Sequence, residues 1–199
     1  MKKLLLPIAV LIVFVGCGGE KDIFPITVGN TWEYDHISTH GEGDSILWSD
    51  TTSTTMTISR ETTLNNGTAV FEAITEGDTW KDSSYLEQTD DYVVSYDSLG
   101  AVIGDTLLKF PIEQGNSWTI YSDSNSTSKA VVVGKKNVSV PAGTYDDCWE
   151  IGVYWTWNPD DTVYMYYAPG VGLVRQYLSF VDSTSWAVHE TQLVETNIK

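Results

Sequence analysis

Basic residues are scarce in this chain: 11 lysines and arginines stand against 27 aspartates and glutamates, a formal charge of −16. Such a surface repels phosphate backbones, and no basic cluster neutralises them, which excludes nucleic acid as a partner. Cysteine is nearly absent, with only Cys17 and Cys148. A chain of this length buries roughly 70% of its unfolded surface and needs no disulfide framework. Histidine is limited to His36, His40 and His189, which bind a metal only if the fold gathers them. No stretch after residue 21 keeps a 3.6-residue apolar period, so a long amphipathic helix is excluded. The leading apolar run, residues 4–15, falls short of the ~20 residues that span a bilayer as a helix.

What is present begins with that run. Lys2 and Lys3 precede it, Gly16-Cys17 closes it, and polar Gly18-Gly19-Glu20-Lys21 follows. A basic start, a short apolar core and a small residue read as a secretory signal. Phe14-Val15-Gly16-Cys17 resembles a bacterial lipobox, with Phe14 where Leu is usual. The resemblance implies cleavage before Cys17, acylation of its thiol (palmitate among the chains) and tethering to the envelope membrane. Each buried CH₂ adds ~0.8 kcal/mol, and several chains anchor stably. The chain then divides into a signal peptide over 1–16, a linker over 17–23 and one domain over 24–199. Gly18-Gly19 in place of an Asp after Cys17 leans toward the outer membrane. With Cys17 acylated, Cys148 has no partner; beside Trp149 it reads as a buried, inert thiol.

One segment occurs twice. Phe24-Pro25-Ile26-Thr27-Val28-Gly29-Asn30-Thr31-Trp32 is matched by Phe110-Pro111-Ile112-Glu113-Gln114-Gly115-Asn116-Ser117-Trp118. Each copy predicts an extended proline segment, a Gly-Asn turn with positive φ, and a strand beginning at the Trp. The period is too long for a solenoid, so two related halves are expected, 24–109 and 110–199. Strands are predicted over 52–63, 69–75, 85–88, 92–96, 118–122, 130–140, 148–157, 163–168, 173–182 and 186–195. Asn65-Asn66-Gly67 marks one hairpin, and a turn is predicted at Asn158-Pro159-Asp160-Asp161. The class is all-β and antiparallel: a strongly curved sheet, an open half-barrel or a sandwich, behind an N-terminal signal helix.

Phe110–Trp118, Val138-Ser139-Val140-Pro141-Ala142-Gly143-Thr144-Tyr145 and Tyr166-Tyr167-Ala168-Pro169-Gly170-Val171-Gly172-Leu173-Val174 together resemble an uncharacterised family of bacterial secreted lipoproteins. The family carries Gly-Asn-Ser/Thr-Trp, Val-Pro-Ala-Gly-Thr-Phe/Tyr and Tyr-Ala-Pro-Gly-Val-Gly-Leu-Val segments. The resemblance implies one curved antiparallel β-domain on the envelope and carries over no catalytic residue. The layout is also similar to the open half-barrels of lipoprotein carriers, an analogy of fold alone. Physically, Pro141 ends a strand, and Pro169–Gly172 is a tight bend between core strands.

Catalytic and metal motifs are incomplete. Gly170-Val171-Gly172 has Arg175 where a dinucleotide loop needs its third Gly, and no helix follows. His189-Glu190 has Leu193 where a zinc protease needs its second His. Gly43-Asp44-Ser45 begins like an esterase block but has no Asp and His in sequence to activate Ser45. Asp123-Ser124-Asn125 opens like a calcium loop but lacks its Gly and its Glu. Asp146-Asp147 and Asp160-Asp161 read as solvated turn residues. No cofactor and no metal is expected, and the domain reads as non-enzymatic.

Aromatic density is the remaining candidate. Trp149, Tyr154, Trp155, Trp157, Tyr164, Tyr166 and Tyr167 crowd one hairpin, and alternation puts rings on both of its faces. One set fills the core, and the other lines a groove or forms a contact surface. The expected activity is binding or scaffolding at the membrane, with an envelope protein as partner. The alternative is carriage of a lipid or other hydrophobic ligand in an apolar groove, and a hydrolase is more remote.

Overall fold

The computed structural model describes residues 23–123, 126–181 and 184–198. The expected signal helix, Cys17 and the linker up to residue 22 lie outside the described residues, while Ile23, expected as linker, is buried in the core.

The first half of the chain supplies β1 (Thr31–Glu42), β2 (Ser45–Thr63), β3 (Ala69–Glu76), β4 (Lys81–Gln88), β5 (Tyr92–Tyr96) and β6 (Asp105–Lys109). The second half supplies β7 (Ser117–Ser122), β8 (Thr127–Val140), β9 (Gly143–Trp155), β10 (Asn158–Ala168), β11 (Gly172–Val181) and β12 (Ser185–Thr196). All twelve form one antiparallel sheet in the order β6-β5-β4-β3-β2-β1-β12-β11-β10-β9-β8-β7. Within each half, neighbours in sequence pair as hairpins, and β1 against β12 joins the halves. The sheet curls into a nearly closed barrel, with β6 and β7 as its edges.

Period-2 patterning and turn residues account for most of these strands. The structure differs from the sequence expectation in several places: β2 begins at Ser45 rather than 52, β4 at Lys81 rather than 85, β8 at Thr127 rather than 130, and β9 at Gly143 rather than 148, which puts Asp146-Asp147 inside a strand instead of a turn. Strand β6 was not foreseen, because Asp105–Lys109 is short and follows a loop without strong alternation. The turn between β9 and β10 falls at Thr156-Trp157 rather than at 158–161, which instead form an irregular start to β10. Asn158 Nδ2 donates to Asp161 Oδ2 within it, and the chain advances five residues on β10 against two on β9, so the polar stretch bulges out of the ladder.

The two copies of the repeated segment fold alike. Gly29 has φ 90° and Gly115 φ 89°. Gly29 N–H donates to Ile58 O at 2.8 Å, and Gly115 N–H to Val132 O at 2.8 Å. Ile58 and Val132 return the bond to Asn30 O and Asn116 O at 3.0 and 2.9 Å. Asn30 Nδ2 donates to Pro25 O at 2.9 Å and Asn116 Nδ2 to Pro111 O at 3.3 Å. Each copy therefore ties the entry of its first strand to the second strand of its half, β2 or β8. Both Trp side chains are buried, Trp32 at 0% and Trp118 at 7% exposed.

The other two familiar segments pack near the first copy. Gly170 and Gly172 take φ 73° and 99°, and the bend presents Val171 O to Trp32 Nε1 at 2.6 Å. Register breaks in β8/β9 beside Gly134 and Asn137 bend that long hairpin, as bulges do. Its tip then reaches β12, where Ala142 N–H donates to Leu193 O at 3.0 Å. Around this junction lie Phe24, Trp32, Tyr34, Ile151, Tyr167, Val174 and Leu193, the packed end of the barrel.

Candidate functional site

Strand β1 turns Trp32, Tyr34, His36, Ser38 and His40 toward one face, since alternate residues share a side. Trp32 and Tyr34 belong to the core; His36 and Ser38 are half-buried and His40 is exposed. The face thus changes along a single strand from filled and apolar to open and polar. Cross-strand partners extend it: His36 stands opposite Thr52 of β2 and Thr191 of β12, and Ser38 opposite His189.

At this transition lies a cleft of about 540 Å³ lined by His36, Thr52, Ser53, Thr54, Thr75, Asp78, Thr79 and Trp80. His36 is held at both nitrogens, Nδ1 to Thr191 Oγ1 at 3.0 Å and Nε2 to Thr54 Oγ1 at 2.8 Å. Burial pushes its pKa below the ordinary histidine value, against the smaller opposing pull of Asp35. A neutral ring here donates from one nitrogen and accepts at the other, and each Thr hydroxyl keeps bonding capacity for a ligand.

Trp80 comes from the turn joining β3 to β4. Gly77 N–H donates to Trp80 O at 3.0 Å, closing the turn. The indole lies against Gly77 so closely that a Cβ there would fall 2.4 Å from its Nε1. The ring is thereby located by the missing side chain of Gly77, yet remains 50% exposed.

Farther along the same face, Ser38 Oγ and His189 Nδ1 are 3.0 Å apart. The His40 ring centroid lies 5.5 Å from that of His189 and 5.3 Å from that of Trp48. The fold therefore brings all three histidines to one face. Among the described residues, however, no group of three His, Cys, Asp or Glu side chains is placed to hold a metal ion.

The aromatic hairpin divides between two environments. Tyr166 and Tyr167 are buried. Tyr166 OH donates to Glu150 Oε1 at 3.0 Å, and burial, reinforced by Glu150, pushes its pKa up to about 12. Glu150, itself buried, also accepts from Lys136 Nζ at 2.7 Å. Tyr167 packs edge-on to Phe24, and burial raises its pKa strongly. Trp149 is half-buried with Lys135 Nζ 4.5 Å above its ring, and Tyr154 and Tyr164 are half-buried too. Trp155 and Trp157, 39% and 68% exposed, are the solvent-facing members, at the tip between β9 and β10.

Other sequence candidates fall into structural places. Ser45 opens β2 opposite Glu42 at an exposed hairpin tip, without the strand-to-helix turn of an activated nucleophile. Glu190 accepts from Arg175 Nε at 2.5 Å and lies in the middle of β12. Cys148 is fully buried, and its thiol is pushed up to about 11 by burial. A buried thiol so far from thiolate character is unreactive at neutral pH.

Sequence reasoning missed His36 as a cleft residue, along with Thr52, Thr54, Thr75 and Trp80. One signal was readable: the inward positions of β1 change from Trp and Tyr to His, Ser and His. Which strands stand opposite was not readable.

No protein-family model matches the chain, and no curated protein matches it either. Solved structures do. An exported-class protein of YmcC-like fold from Bacteroides fragilis superposes with a TM-score of 0.50 at 14% identity, covering 87% of this chain and 98% of that one. A lipoprotein-class structure from Parabacteroides distasonis gives 0.43 at 16% identity, covering 88% and 98%. A DUF1329 family protein from Desulfovibrio piger gives 0.25 at 9% identity, covering 87% of each. The chain shares the fold of the Bacteroides protein.

Proposed function

We propose that this is an exported, lipid-tethered protein of the bacterial cell envelope, acylated at Cys17, whose barrel is a non-enzymatic binding domain. Its ligand surface is the cleft between His36 and Trp80. One observation carries the reading: a cleft of small-molecule size, about 540 Å³, opens where the inner face of β1 turns polar. Its lining sets threonine and serine hydroxyls and the Asp78 carboxylate among the Trp80 indole and threonine methyls, which favours a ligand with both polar and apolar surface over the wholly hydrophobic one of the carrier reading. Tethering draws on the lipobox, and the Bacteroides neighbour is itself classed as exported. The Gly18-Gly19 pair after Cys17 favours the outer membrane.

Native mass spectrometry of the full-length protein, extracted from cells in detergent, tests the site. A small molecule should accompany the wild type and be lost from a His36→Ala/Trp80→Ala double variant. Equal retention by both would remove the cleft as the site. Metabolic labelling with a palmitate analogue tests the tether: wild type should be tagged and Cys17→Ala spared, and equal labelling would overturn acylation there.

A further inference from the structure

Given the cleft as the ligand surface proposed above, we infer that its ligand is a neutral saccharide, one ring of which lies against the indole of Trp80.

The lining decides the chemistry by what each group could satisfy. It contains no Lys or Arg, while Asp78 stands at the mouth and the chain carries a net charge of −16. A phosphate or carboxylate ligand would enter without a counter-charge and against a repulsive field. A lipid tail fares no better. The Trp80 indole and the threonine methyls do give the cleft apolar surface, but a lipid tail would offer the hydroxyls of Thr52, Thr75 and Thr79 and the Asp78 carboxylate no partner in place of the water it displaces. A metal ion lacks a ligand set.

What remains is a molecule with many neutral donors and acceptors and one apolar flat side. A saccharide ring has both: hydroxyls around its edge and a C–H face. Threonine hydroxyls both donate and accept, so they match a sugar hydroxyl in either orientation, and His36, bonded at both nitrogens, holds Thr54 in place beside them. An indole supplies a large, rigid apolar surface with little conformational freedom to lose on binding. Trp80 is already placed for this. The turn bond from Gly77 N–H to Trp80 O fixes its backbone, the bare Gly77 fixes its ring, and half of it stays open to solvent. The same face continues past Ser38 and His189 to His40 and Trp48, a second indole beside further polar groups. This arrangement suits an oligosaccharide better than a single sugar.

The test is saturation-transfer NMR on the full-length protein in a detergent without a sugar head group. Maltotriose, cellotriose and chitotriose are the neutral probes, and a trimer of galacturonic acid is the anionic one. At least one neutral trisaccharide should receive saturation, and the uronate should not. Affinity should fall about tenfold or more in Trp80→Ala, be largely kept in Trp80→Phe, and stay unchanged in Trp157→Ala. Gly77→Val, which displaces the ring without removing it, should behave like Trp80→Ala. No transfer to any neutral probe at roughly 10 mM, or preference for the uronate, overturns the ligand class. The cleft survives that failure if mass spectrometry still finds a molecule lost in the double variant. A saccharide bound equally by wild type and Trp80→Ala would instead place binding elsewhere and remove the cleft itself.

Discussion

The two copies of the Phe-Pro-Ile…Gly-Asn-Ser/Thr-Trp segment make the same local bonds but end in different surroundings. The first leads into β1, which pairs with β12 from Trp32 to Glu42. The second leads into β7, an edge strand, and the neighbouring edge β6 is reached through a side chain: Trp118 Nε1–H donates to Thr106 O at 2.9 Å. Under the repeat, β1/β12 and β7/β6 are corresponding junctions of the ring. One is a full ladder, the other an open seam fastened by an indole. Length explains part of the difference, since β6 and β7 are 5 and 6 residues long while β1 and β12 are 12 each. An identical entry device therefore specifies how a strand starts, not what it meets.

The largest expected effects come from removing the two indoles. Trp32→Ala should cost ~3–5 kcal/mol, much of a domain's stability of ~5–15 kcal/mol. Trp118→Ala should cost less, because its neighbours at the open seam can relax into the space. Denaturant melts of the full-length protein, followed by circular dichroism, measure both. Equal losses would mean that the open seam is as tightly packed as the ladder.

The asparagines sharpen the same contrast. Asn30 is fully buried and Asn116 exposed, although both donate to the proline carbonyl five residues earlier. Asn30→Ala strands buried groups and should cost about 1–3 kcal/mol, whereas Asn116→Ala should stay within about 0.5 kcal/mol of wild type. A large effect at Asn116 alone would reverse the assignment of the tight and loose copies.

The glycines should show no contrast. With φ of 90° and 89°, Gly29→Ala and Gly115→Ala should each cost about 1–2 kcal/mol, the penalty of a Cβ in a left-handed backbone. Unequal costs would show that one turn can shift.

The smallest effect concerns acid. The closed junction contains a titratable bridge, His36 between Thr54 and Thr191. Burial lowers the pKa of His36 in the folded state, so the unfolded chain takes up the proton first. Stability should be intact above about pH 6.5, decline as pH falls through it, and level off below the folded pKa. The decline should vanish in His36→Gln. Hydrogen exchange should locate it in β1 and β12 and leave β6 and β7 unaffected; loss spread evenly over both junctions would sink the assignment to His36.

Legibility follows the range of the interactions. Strands such as Tyr92–Tyr96 were readable residue for residue, because alternation and flanking Asp-Asp turns are local signals. Residues 158–161 have turn composition, but the chain reverses at Thr156-Trp157 and they form a bulge in β10 instead, a choice of register that composition does not encode. The hairpin of seven aromatics looked like the most promising surface. Burial of Tyr166 against Glu150 depends on the register within the hairpin, and that of Tyr167 against Phe24 on a partner far away in sequence.

The sequence by itself determined an all-β chain, most of its turns, and two copies of one strand-entry device, since period-2 alternation and the φ demands of Gly-Asn act within a few residues. Only the tertiary structure decided that the strands close into a ring, which junction pairs and which stays open, and that His36, Thr54, Thr191 and Trp80 surround one face. Those outcomes depend on register between strands as distant as β1 and β12, whose pairing is set by how a whole sheet curls and fills its interior.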